Sequence, residues 1–352
     1  MWLRLKEFSG RIKMKILISD PLAQEGIQIF KNGGFEVEIK TGLKPEDLKV
    51  AIKGVHGLVI RSATQVTADF LAAADSLKVV GRAGTGLDNV DIPAATAEGV
   101  IVMNTPGQNS NAAAELAMGH IFALSRFIAR GHRGIKEGKW EKKQLRGREL
   151  KGKTLGIMGM GNIGRILAEL GHGVKMNVIG YDPYFKAEEI KVRGAEPVSF
   201  EDLLVRADYL SIHVPKTKET AGLFNVQNIS KMKDGAYLIN CARGGIVDEV
   251  ALCDALAQGK LSGAALDVFE REPLPADSRI VFADNVVCTP HLGANTHEAQ
   301  INVAVAVAKQ VSKFLKTGEA EFAVNAPKSM LSPPATNQGP GPRLKASCDQ
   351  TK

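Results

Sequence analysis

The chain has 352 residues, of which 44% are hydrophobic and 24% are charged, and this fits a globular protein of two domains. It has no apolar stretch near the roughly 20 residues of a transmembrane helix, no secretory signal pattern at its N-terminus and no metal-like spacing among its four cysteines, so we expect a reduced, cytoplasmic protein without a bound metal. The net charge of +7 comes mainly from residues 1–13 and 328–352, which carry +3 each, so the sequence does not predict a nucleic-acid-binding face.

Short apolar runs in the first third of the chain alternate with amphipathic segments. The runs lie at 14–20, 57–61, 77–81 and 100–104. Runs of this length predict strands, and their alternation with helical segments is typical of an α/β fold with a parallel sheet. We therefore expect these strands to form the sheet of a first domain.

A long and nearly uncharged segment follows at 110–130 (SNAAAELAMGHIFALSRFIAR). Its apolar residues recur at helical spacing, and they cover more of the surface than a solvated helix would tolerate. We expect one helix that is buried between domains or between subunits. Burial between subunits would make a homodimer the smallest assembly, whereas burial between domains would allow a monomer.

The second half of the chain, from residue 153, has a more regular pattern. Six apolar runs predict strands: TLGIMG, NVIGYD, YLSIHVP, AYLINCARG, GAALDVF and NVVCTPH. A second long helix is predicted at 296–315. The tail from about 331 is rich in Pro and Gly and poor in core-forming residues, so we expect the extensions at 1–13 and 328–352 to be disordered.

The most specific local motif is the run Gly159-Met-Gly161-Asn162-Ile163-Gly164, which follows a predicted strand and opens a predicted helix. In this setting the glycines allow a tight turn, close approach of a pyrophosphate and close packing of helix on strand. Asp182 stands 18 residues past the last glycine, near the usual distance for an acid that holds the ribose hydroxyls, and its charge favours NAD over NADP. Arg193 is too far along the chain to be an obvious phosphate partner. A glycine-rich turn followed by a surface Asp is the alternative.

Polar residues follow the later apolar runs, at the edge of the sheet where open α/β folds bind ligands. Arg243, Glu272 and His291 stand out among them. Hydride transfer from a hydroxy acid needs a base, which a histidine supplies near neutral pH, and a cation for the carboxylate, which an arginine binds through two hydrogen bonds. A carboxylate beside the base fixes its tautomer. Each residue alone has a common structural explanation, so only their joint placement predicts this chemistry.

Five strings in the sequence together resemble the D-isomer-specific 2-hydroxyacid dehydrogenase family. They are 81–91 (GRAGTGLDNVD), 104–107 (NTPG), 240–248 (NCARGGIVD), 265–273 (ALDVFEREP) and 289–294 (TPHLGA). The resemblance extends over residues 14–327. It implies two Rossmann-like, doubly wound parallel-sheet domains of α/β class, of which the substrate domain is discontinuous and flavodoxin-like.

The resemblance also implies boundaries and site residues. Residues 14–110 with 300–327 would form the substrate-binding domain, and 111–299 the NAD-binding domain. The catalytic set would be Arg243, Glu272 and His291. The cofactor contacts beyond the glycine motif and Asp182 would be His213, Val214, Pro215, Thr220, Cys241, Ala242, Arg243, Asp267, His291 and Gly293, with Asp267 at the nicotinamide amide. The substrate contacts would be Arg61, Ser62, Arg82, Gly84 and Asn104, with Lys142 reaching the site of a neighbouring subunit or lying on a solvated charged surface.

The resemblance is strongest to members that oxidise D-3-phosphoglycerate to 3-phosphooxypyruvate, the first step of serine biosynthesis. The arginines at 61 and 82 favour a phosphorylated hydroxy acid. Reduction of glyoxylate or hydroxypyruvate, or a D-lactate activity, is the first alternative, and a non-catalytic NAD-sensing corepressor is the second. We expect a homodimer or homotetramer that binds neither nucleic acid nor membrane, and no feedback control by serine, because the chain ends soon after Asn325.

Overall fold

The computed structural model describes residues 13–327, so the disorder expected for 1–12 and 328–352 lies outside the described residues. The chain separates into two compact units. Of the described residues, unit 1 comprises 13–105 and 304–327, and unit 2 comprises Pro106–Val303. These divisions fall a few residues from the domain boundaries expected at 110 and 300.

Unit 1 is built on a parallel sheet in the order β2-β1-β3-β4-β5. Its strands are β1 (Lys15–Ile18), β2 (Glu36–Ile39), β3 (Gly57–Ile60), β4 (Val79–Arg82) and β5 (Ile101–Met103), and its first helices are α1 (Gln24–Asn32), α2 (Pro45–Ala51), α3 (Ala68–Ala72) and α4 (Ile92–Ala97). This strand order is the flavodoxin-like one. The α/β class and the doubly wound, flavodoxin-like first domain are therefore confirmed.

The core of unit 1 fills both faces of its sheet. Leu17, Leu58 and Val80 pack with residues of α2, α3 and α4 in one buried cluster. On the opposite face lies α12 (His297–Thr317), the helix predicted at 296–315, which crosses the division between the units. A side chain at Gly81 would come within 2.5 Å of Val311 Cγ2, so β4 and α12 pack more closely there than any residue but glycine allows.

The edge strand β2 was not predicted from the sequence. Two of its four residues are glutamates, Glu36 and Glu38, so it lacks the apolar run that marks the other strands. Glu38 forms ion pairs with Lys15, at 2.6 Å, and with Lys40. At the other edge of the sheet, the backbone N–H of Val324 donates to the carbonyl of Val102 (2.9 Å).

Unit 2 contains an all-parallel sheet of seven strands in the order β12-β11-β10-β9-β6-β7-β8. The strands are β6 (Thr154–Met158), β7 (Asn177–Tyr181), β8 (Glu196–Pro197), β9 (Tyr209–Ile212), β10 (Ala236–Asn240), β11 (Leu261–Leu266) and β12 (Val286–Cys288), and the helices are α5 (Ser110–Ser125), α6 (Ile128–Lys136), α7 (Asn162–Gly173), α8 (Ala187–Val192), α9 (Phe200–Arg206), α10 (Val226–Lys231) and α11 (Glu249–Ala257). This is the Rossmann order with one added strand. The six predicted strands are present, and only the two-residue β8 was missed.

The segment predicted as one helix at 110–130 is two helices, α5 and α6, and the single-helix prediction is wrong. They meet at Phe127, whose backbone is left-handed (φ 53°), and they bend by 64°. The apolar pattern runs through the bend, so the sequence does not reveal it. Within residues 13–327 no single helix is long and apolar enough to cross a membrane, and only this bent pair passes by joint length and composition. Helix α5 packs in the core of unit 2 with α7 and β6, and its burial between domains or between subunits stays a prediction.

The reversal of strand order between β6 and β9 opens a crevice at the carboxyl edge of the unit 2 sheet. The residues that follow β6, β7, β9, β10, β11 and β12 are the ones singled out from the sequence. Parallel pairing brings their strand ends to the same edge. The fold therefore gathers most of the predicted site residues of unit 2 along one edge.

Candidate active site

The glycine-rich turn after β6 is shaped by close backbone packing. Gly159 has a left-handed backbone (φ 94°), and a Cβ there would lie 2.5 Å from the carbonyl oxygen of His213. A Cβ at Gly164 would lie 2.1 Å from the carbonyl oxygen of Gly159. A Cβ at Gly161, in contrast, would meet nothing within 4 Å. The turn is thus closed on its protein side and open at Gly161, where Asn162 and Ile163 begin α7, an arrangement that suits a bound pyrophosphate.

The acid after β7 lies directly beside this turn. Asp182 Oδ2 accepts a hydrogen bond from the Met160 N–H (2.8 Å), and Oδ1 accepts one from the Tyr184 N–H (2.9 Å). The carboxylate is therefore held by the glycine-rich turn and by its own strand end. This placement fits the role proposed for it at the ribose of NAD.

Arg193 also reaches the glycine-rich turn. Its Nη1 donates to the carbonyl of Met160 (3.3 Å), and its guanidinium lies 4.2 Å from the centre of the Phe185 ring. Arg193 directly follows Val192, the last residue of α8, so this helix brings it back to the turn. The expectation that Arg193 is no obvious phosphate partner stays a prediction.

His213, at the end of β9, is neutral. Its Nε2 lies 2.8 Å from the Ser211 hydroxyl, and its Nδ1 is buried with no hydrogen-bond partner in residues 13–327. Burial lowers the pKa of His213 to about 4. The side chain of Val214 lies beside Gly159. Together these residues make a half-buried wall next to the glycine-rich turn, with an unpaired polar atom that a bound group could satisfy.

The loop after His213 is ordered by Thr220. Its hydroxyl donates to the Pro215 carbonyl (2.7 Å) and accepts from the Thr217 N–H (2.7 Å). Since the hydroxyl is used within the loop, Thr220 holds the wall in place. Its predicted contact with the cofactor stays a prediction.

The loop after β10 is held by Asn240, whose role the sequence did not suggest. The buried amide accepts from the Ala242 N–H (3.0 Å) and donates to the Arg243 carbonyl (3.0 Å). Arg243 Nη1 donates to the Ala242 carbonyl (2.7 Å). A Cβ at Gly244 would lie 1.7 Å from the Phe269 carbonyl oxygen, so glycine lets this loop pass close to the segment after β11. Cys241 is buried, and burial raises the pKa of its thiol far above the ordinary value, so it is no nucleophile.

His291 and Glu272 form a close pair. His291 Nδ1 lies 2.7 Å from Glu272 Oε2, while Glu272 Oε1 accepts from the Phe269 N–H (3.1 Å). A carboxylate can only accept, so Nδ1 carries the hydrogen and Nε2 keeps its lone pair. The His291 side chain is 50% exposed. The pair therefore orients the imidazole and leaves Nε2 as its second hydrogen-bonding atom, and the role of His291 as a general base stays a prediction.

Asp267, at the end of β11, holds the loop that carries His291. Its carboxylate is fully buried. Oδ1 accepts from the Thr289 hydroxyl (2.6 Å) and from the Leu292 N–H (2.7 Å), and Oδ2 accepts from the Gly293 N–H (2.8 Å). The His291 N–H donates to the Asp267 carbonyl (2.9 Å). Both carboxylate oxygens thus already bind the loop, and a contact of Asp267 with nicotinamide stays a prediction.

In unit 1 the loop after β3 contains Arg61 and Ser62. The Arg61 N–H donates to Asp20 Oδ2 (2.6 Å), and the Asn89 amide donates to the Arg61 carbonyl (2.8 Å). Asp20 also accepts from the Thr64 N–H (3.2 Å) and hydroxyl (2.8 Å). Burial lowers the pKa of Arg61, although at neutral pH the guanidinium keeps its charge. Asp20 and Asn89 were not singled out from the sequence.

The other predicted substrate residues of unit 1 lie at the neighbouring strand ends. The guanidinium of Arg82 folds against Gly84, where a Cβ would lie 1.5 Å from Nη1. The Asn104 amide donates to the Thr85 carbonyl (2.7 Å). In unit 2, Lys142 is an exposed residue of the segment after α6. Within residues 13–327 no three His, Cys, Asp or Glu side chains are grouped to hold a metal ion.

Comparison with known proteins shows which family and which relatives this chain is similar to. The family model for the NAD binding domain of D-isomer specific 2-hydroxyacid dehydrogenases matches residues 118–293, half of the chain. The D-3-phosphoglycerate dehydrogenase of Archaeoglobus fulgidus is 44% identical over 314 residues, covering 89% of this chain and 60% of that protein. The Homo sapiens D-3-phosphoglycerate dehydrogenase is 46% identical over 312 residues, covering 89% and 58%. The chain thus spans about three fifths of the length of these curated relatives.

Two solved structures are similar to the chain over almost its whole described length. The NAD+-bound 3-phosphoglycerate dehydrogenase of Entamoeba histolytica has a TM-score of 0.76 and 32% identity, and the match covers 89% of this chain and 99% of that one. A glyoxylate reductase of Paecilomyes thermophila has a TM-score of 0.81 and 27% identity, covering 89% and 98%.

Proposed function

The chain belongs to the D-isomer-specific 2-hydroxyacid dehydrogenase family, and on that premise we propose that it oxidises D-3-phosphoglycerate to 3-phosphooxypyruvate with NAD, the reaction that begins serine biosynthesis. The observation that carries the chemistry is the 2.7 Å pair of His291 Nδ1 and Glu272 Oε2. It lies at the carboxyl edge of a Rossmann sheet that also carries the glycine-rich turn. A base, its carboxylate and a dinucleotide turn on one edge are what hydride transfer from an alcohol requires.

The residues at that edge fit NAD. The pyrophosphate would lie at Gly161 and the start of α7, and Asp182 would hold the adenosine ribose. His213, Val214, Cys241 and Ala242 would line the nicotinamide end. When bound, the nicotinamide ring supplies the hydride acceptor. The neutral, half-buried His213 and the buried thiol of Cys241 keep this wall uncharged, which suits the change of charge on a nicotinamide ring.

The protein's own residues manage the proton and the carboxylate. His291 Nε2 accepts the proton of the substrate's C2 hydroxyl as its C2–H bond breaks. Glu272 accepts the hydrogen bond from Nδ1–H, so that this hydrogen stays on Nδ1, and it balances the positive charge that His291 acquires. Arg243 binds the substrate carboxylate through its planar guanidinium and orients C2.

The phosphate of the substrate is assigned to unit 1. Arg61 and Ser62 follow β3, and Arg82 is the last residue of β4. The two strands are neighbours, and Ile60 pairs with Arg82 in the sheet. Two guanidiniums at one sheet edge suit a phosphate, which arginine binds through charge-assisted hydrogen bonds. Gly84 and Asn104 would contact the carboxylate end of the substrate, and Lys142 would contribute from a neighbouring subunit of a homodimer or homotetramer. The cytoplasm is the proposed location.

A second candidate function is reduction of glyoxylate or hydroxypyruvate, which the similarity to a glyoxylate reductase favours. D-lactate is a further possible substrate of the same family. A third candidate is a non-catalytic NAD sensor. The three differ in whether turnover occurs at all and in whether it depends on the phosphate.

The deciding experiment compares substrates that differ only in the phosphate. We expect NADH formation with 3-phosphoglycerate, and faster NADH-driven reduction of 3-phosphooxypyruvate than of hydroxypyruvate, with glyoxylate and D-lactate as further comparisons. Arg61→Gln should lower kcat/KM for the phosphorylated acid about tenfold or more and leave hydroxypyruvate nearly unchanged. Activity confined to unphosphorylated acids would overturn the substrate assignment. Tight NADH binding without any turnover would favour the sensor.

A further inference from the structure

A buried histidine in α5 touches the loop of the catalytic base, and the proposed mechanism gives it no role. His120 is 3% exposed. Its Nε2 lies 3.0 Å from the Thr289 hydroxyl. Thr289 stands two residues before His291, so α5 is in direct contact with the segment that carries the base.

The hydrogens of this contact can be assigned one by one. The Thr289 hydroxyl lies 2.6 Å from Asp267 Oδ1. All the hydrogen-bond partners that Asp267 has here are donors, including the N–H groups of Leu292 and Gly293, so the carboxylate only accepts. Thr289 must therefore give its single hydrogen to Asp267, and its oxygen accepts from His120.

This assignment fixes the tautomer of His120. Burial lowers the pKa of His120, so its ring is neutral at physiological pH and carries one hydrogen. That hydrogen lies on Nε2, because the Thr289 oxygen has none left to give. A one-way chain of hydrogen bonds thus runs from His120 through Thr289 to Asp267, and buried chains of this kind are stiff because each bond polarises the next.

The far end of the chain holds the base. Asp267 accepts two N–H groups of the loop beyond His291, and its carbonyl accepts the N–H of His291 itself. His291 has a left-handed backbone (φ 54°), a conformation that L residues keep only when their surroundings hold it. The orientation of the Asp267 carboxylate therefore sets the position of the loop on both sides of the base.

We propose that His120 is a positioning residue of this enzyme: by donating to Thr289 it fixes the Asp267 carboxylate, and through it the loop that presents His291. This proposal rests on the proposed function, because His291 must be the base for its placement to matter. A merely structural role predicts that His120 fills space in the core and that any side chain of similar size serves equally well.

Two variants separate donation from space filling. His120→Met keeps an unbranched side chain of similar size but has no hydrogen to donate, whereas His120→Gln keeps an N–H at a comparable reach. We expect Met to lower kcat roughly three- to tenfold, with KM and the NADH affinity measured by fluorescence titration nearly unchanged, and Gln to restore most of kcat. Equal kcat in the two variants would overturn the proposal.

A double-variant cycle tests whether His120 acts through Thr289. Thr289→Val removes the middle of the chain and should lower kcat by a factor similar to His120→Met. In the Thr289→Val protein, adding His120→Met should cost no further activity. A further loss of the same factor would contradict the proposal. Should His120→Met fail to fold, Thr289→Val and His120→Gln still decide the matter, because the first must lose kcat and the second must retain it.

The same series keeps this inference distinct from the proposed function. His291→Ala serves as the reference variant. If His291→Ala turns over as well as the parent, the proposed base is wrong. If His291→Ala is inactive while His120→Met and Thr289→Val match the parent, only the positioning role fails.

Discussion

The two units hold their site loops by the same device, a buried aspartate just beyond a strand. Asp20 follows β1 and is 4% exposed; Asp267 follows β11 and is fully buried. Each accepts backbone N–H groups from the loop that follows the neighbouring strand, β3 for Asp20 and β12 for Asp267. A carboxylate on one strand end thus shapes the loop of the next.

The units differ in what they hold beyond the backbone. In unit 1 the bonds of Asp20 and Asn89 go to the backbone of Arg61 and Thr64 and to the Thr64 hydroxyl, and none of these bonds holds the Arg61 guanidinium. In unit 2 the imidazole of His291 has a carboxylate of its own in Glu272. A cationic side chain can bind a phosphate in more than one geometry, whereas a general base must be aligned with the one proton that it removes. The comparison therefore predicts kcat defects from unit 2 and KM defects from unit 1.

The strongest test of the comparison is removal of the base. His291→Ala should lower kcat by roughly 100-fold or more, the usual scale for a lost general base, while NADH binding is kept. Steady-state NADH formation and a fluorescence titration measure the two effects. His297→Ala, an exposed histidine at the start of α12, is the matched control and should behave like the parent. Undiminished turnover in His291→Ala would show that another group takes the proton.

Loss of the charge beside the base should have the next largest effect. Glu272→Gln can still accept the hydrogen of His291 Nδ1 but cannot balance the charge of the protonated ring, so we expect kcat to fall roughly 10- to 100-fold with KM little changed. Glu270→Gln, two residues away and exposed, is the control. If both variants fall equally, the pairing seen at 2.7 Å has no special part in turnover.

In unit 1, Asp20→Asn should raise KM for the phosphorylated acid roughly three- to tenfold and leave kcat within about twofold. The amide can accept at one atom only, so it leaves part of the 61–64 loop without a partner and should also cost about 1–3 kcal/mol of unfolding free energy. Steady-state kinetics and urea unfolding measure the two effects, with Asp69→Asn on the surface of α3 as control. A defect in kcat alone would break the contrast between the units.

The smallest effect concerns pH. Burial lowers the pKa of His213 to about 4 from the ordinary 6.5, so below about pH 6.5 the unfolded chain binds a proton that folded unit 2 excludes. The free energy of unfolding should therefore fall as the pH drops, by about 1 kcal/mol between pH 7 and 5.5, and stay flat above that range. Hydrogen exchange should show this loss of stability in unit 2 at a higher pH than in unit 1. A His213→Gln protein should lose this contribution and keep the part that comes from His120, whose pKa burial also lowers, and an unchanged slope would assign the effect elsewhere.

The fold was predictable because strand runs and glycine spacing are local signals. The α/β class, the flavodoxin-like order of unit 1 and the family are confirmed. The helix at 110–130 was wrong because the left-handed turn at Phe127 leaves no mark on an apolar pattern. Strand β2 was missed because its edge position allows charged residues in place of an apolar run.

The site residues could be predicted only where a recognisable sequence motif contains them. Arg243, Glu272 and His291 stand in such strings, and their catalytic roles stay predictions. Asp20 and His120 carry no such mark. Asp20 binds a loop 41 residues away and His120 binds one 169 residues away, and no periodicity of 2.0 or 3.6 residues reports on contacts that distant.

The two edges of the unit 1 sheet have a consequence for how the protein behaves in a crowded solution. A bare edge strand is a template on which another molecule can extend the sheet. One edge, β2, carries Glu36 and Glu38, and Glu38 is paired with Lys15 and Lys40, so a second chain would have to bury those charges to dock. The other edge, β5, already has Val324 of the same chain bonded to Val102. The charges that concealed β2 in the sequence thus also guard the molecule against polymerising through its own sheet.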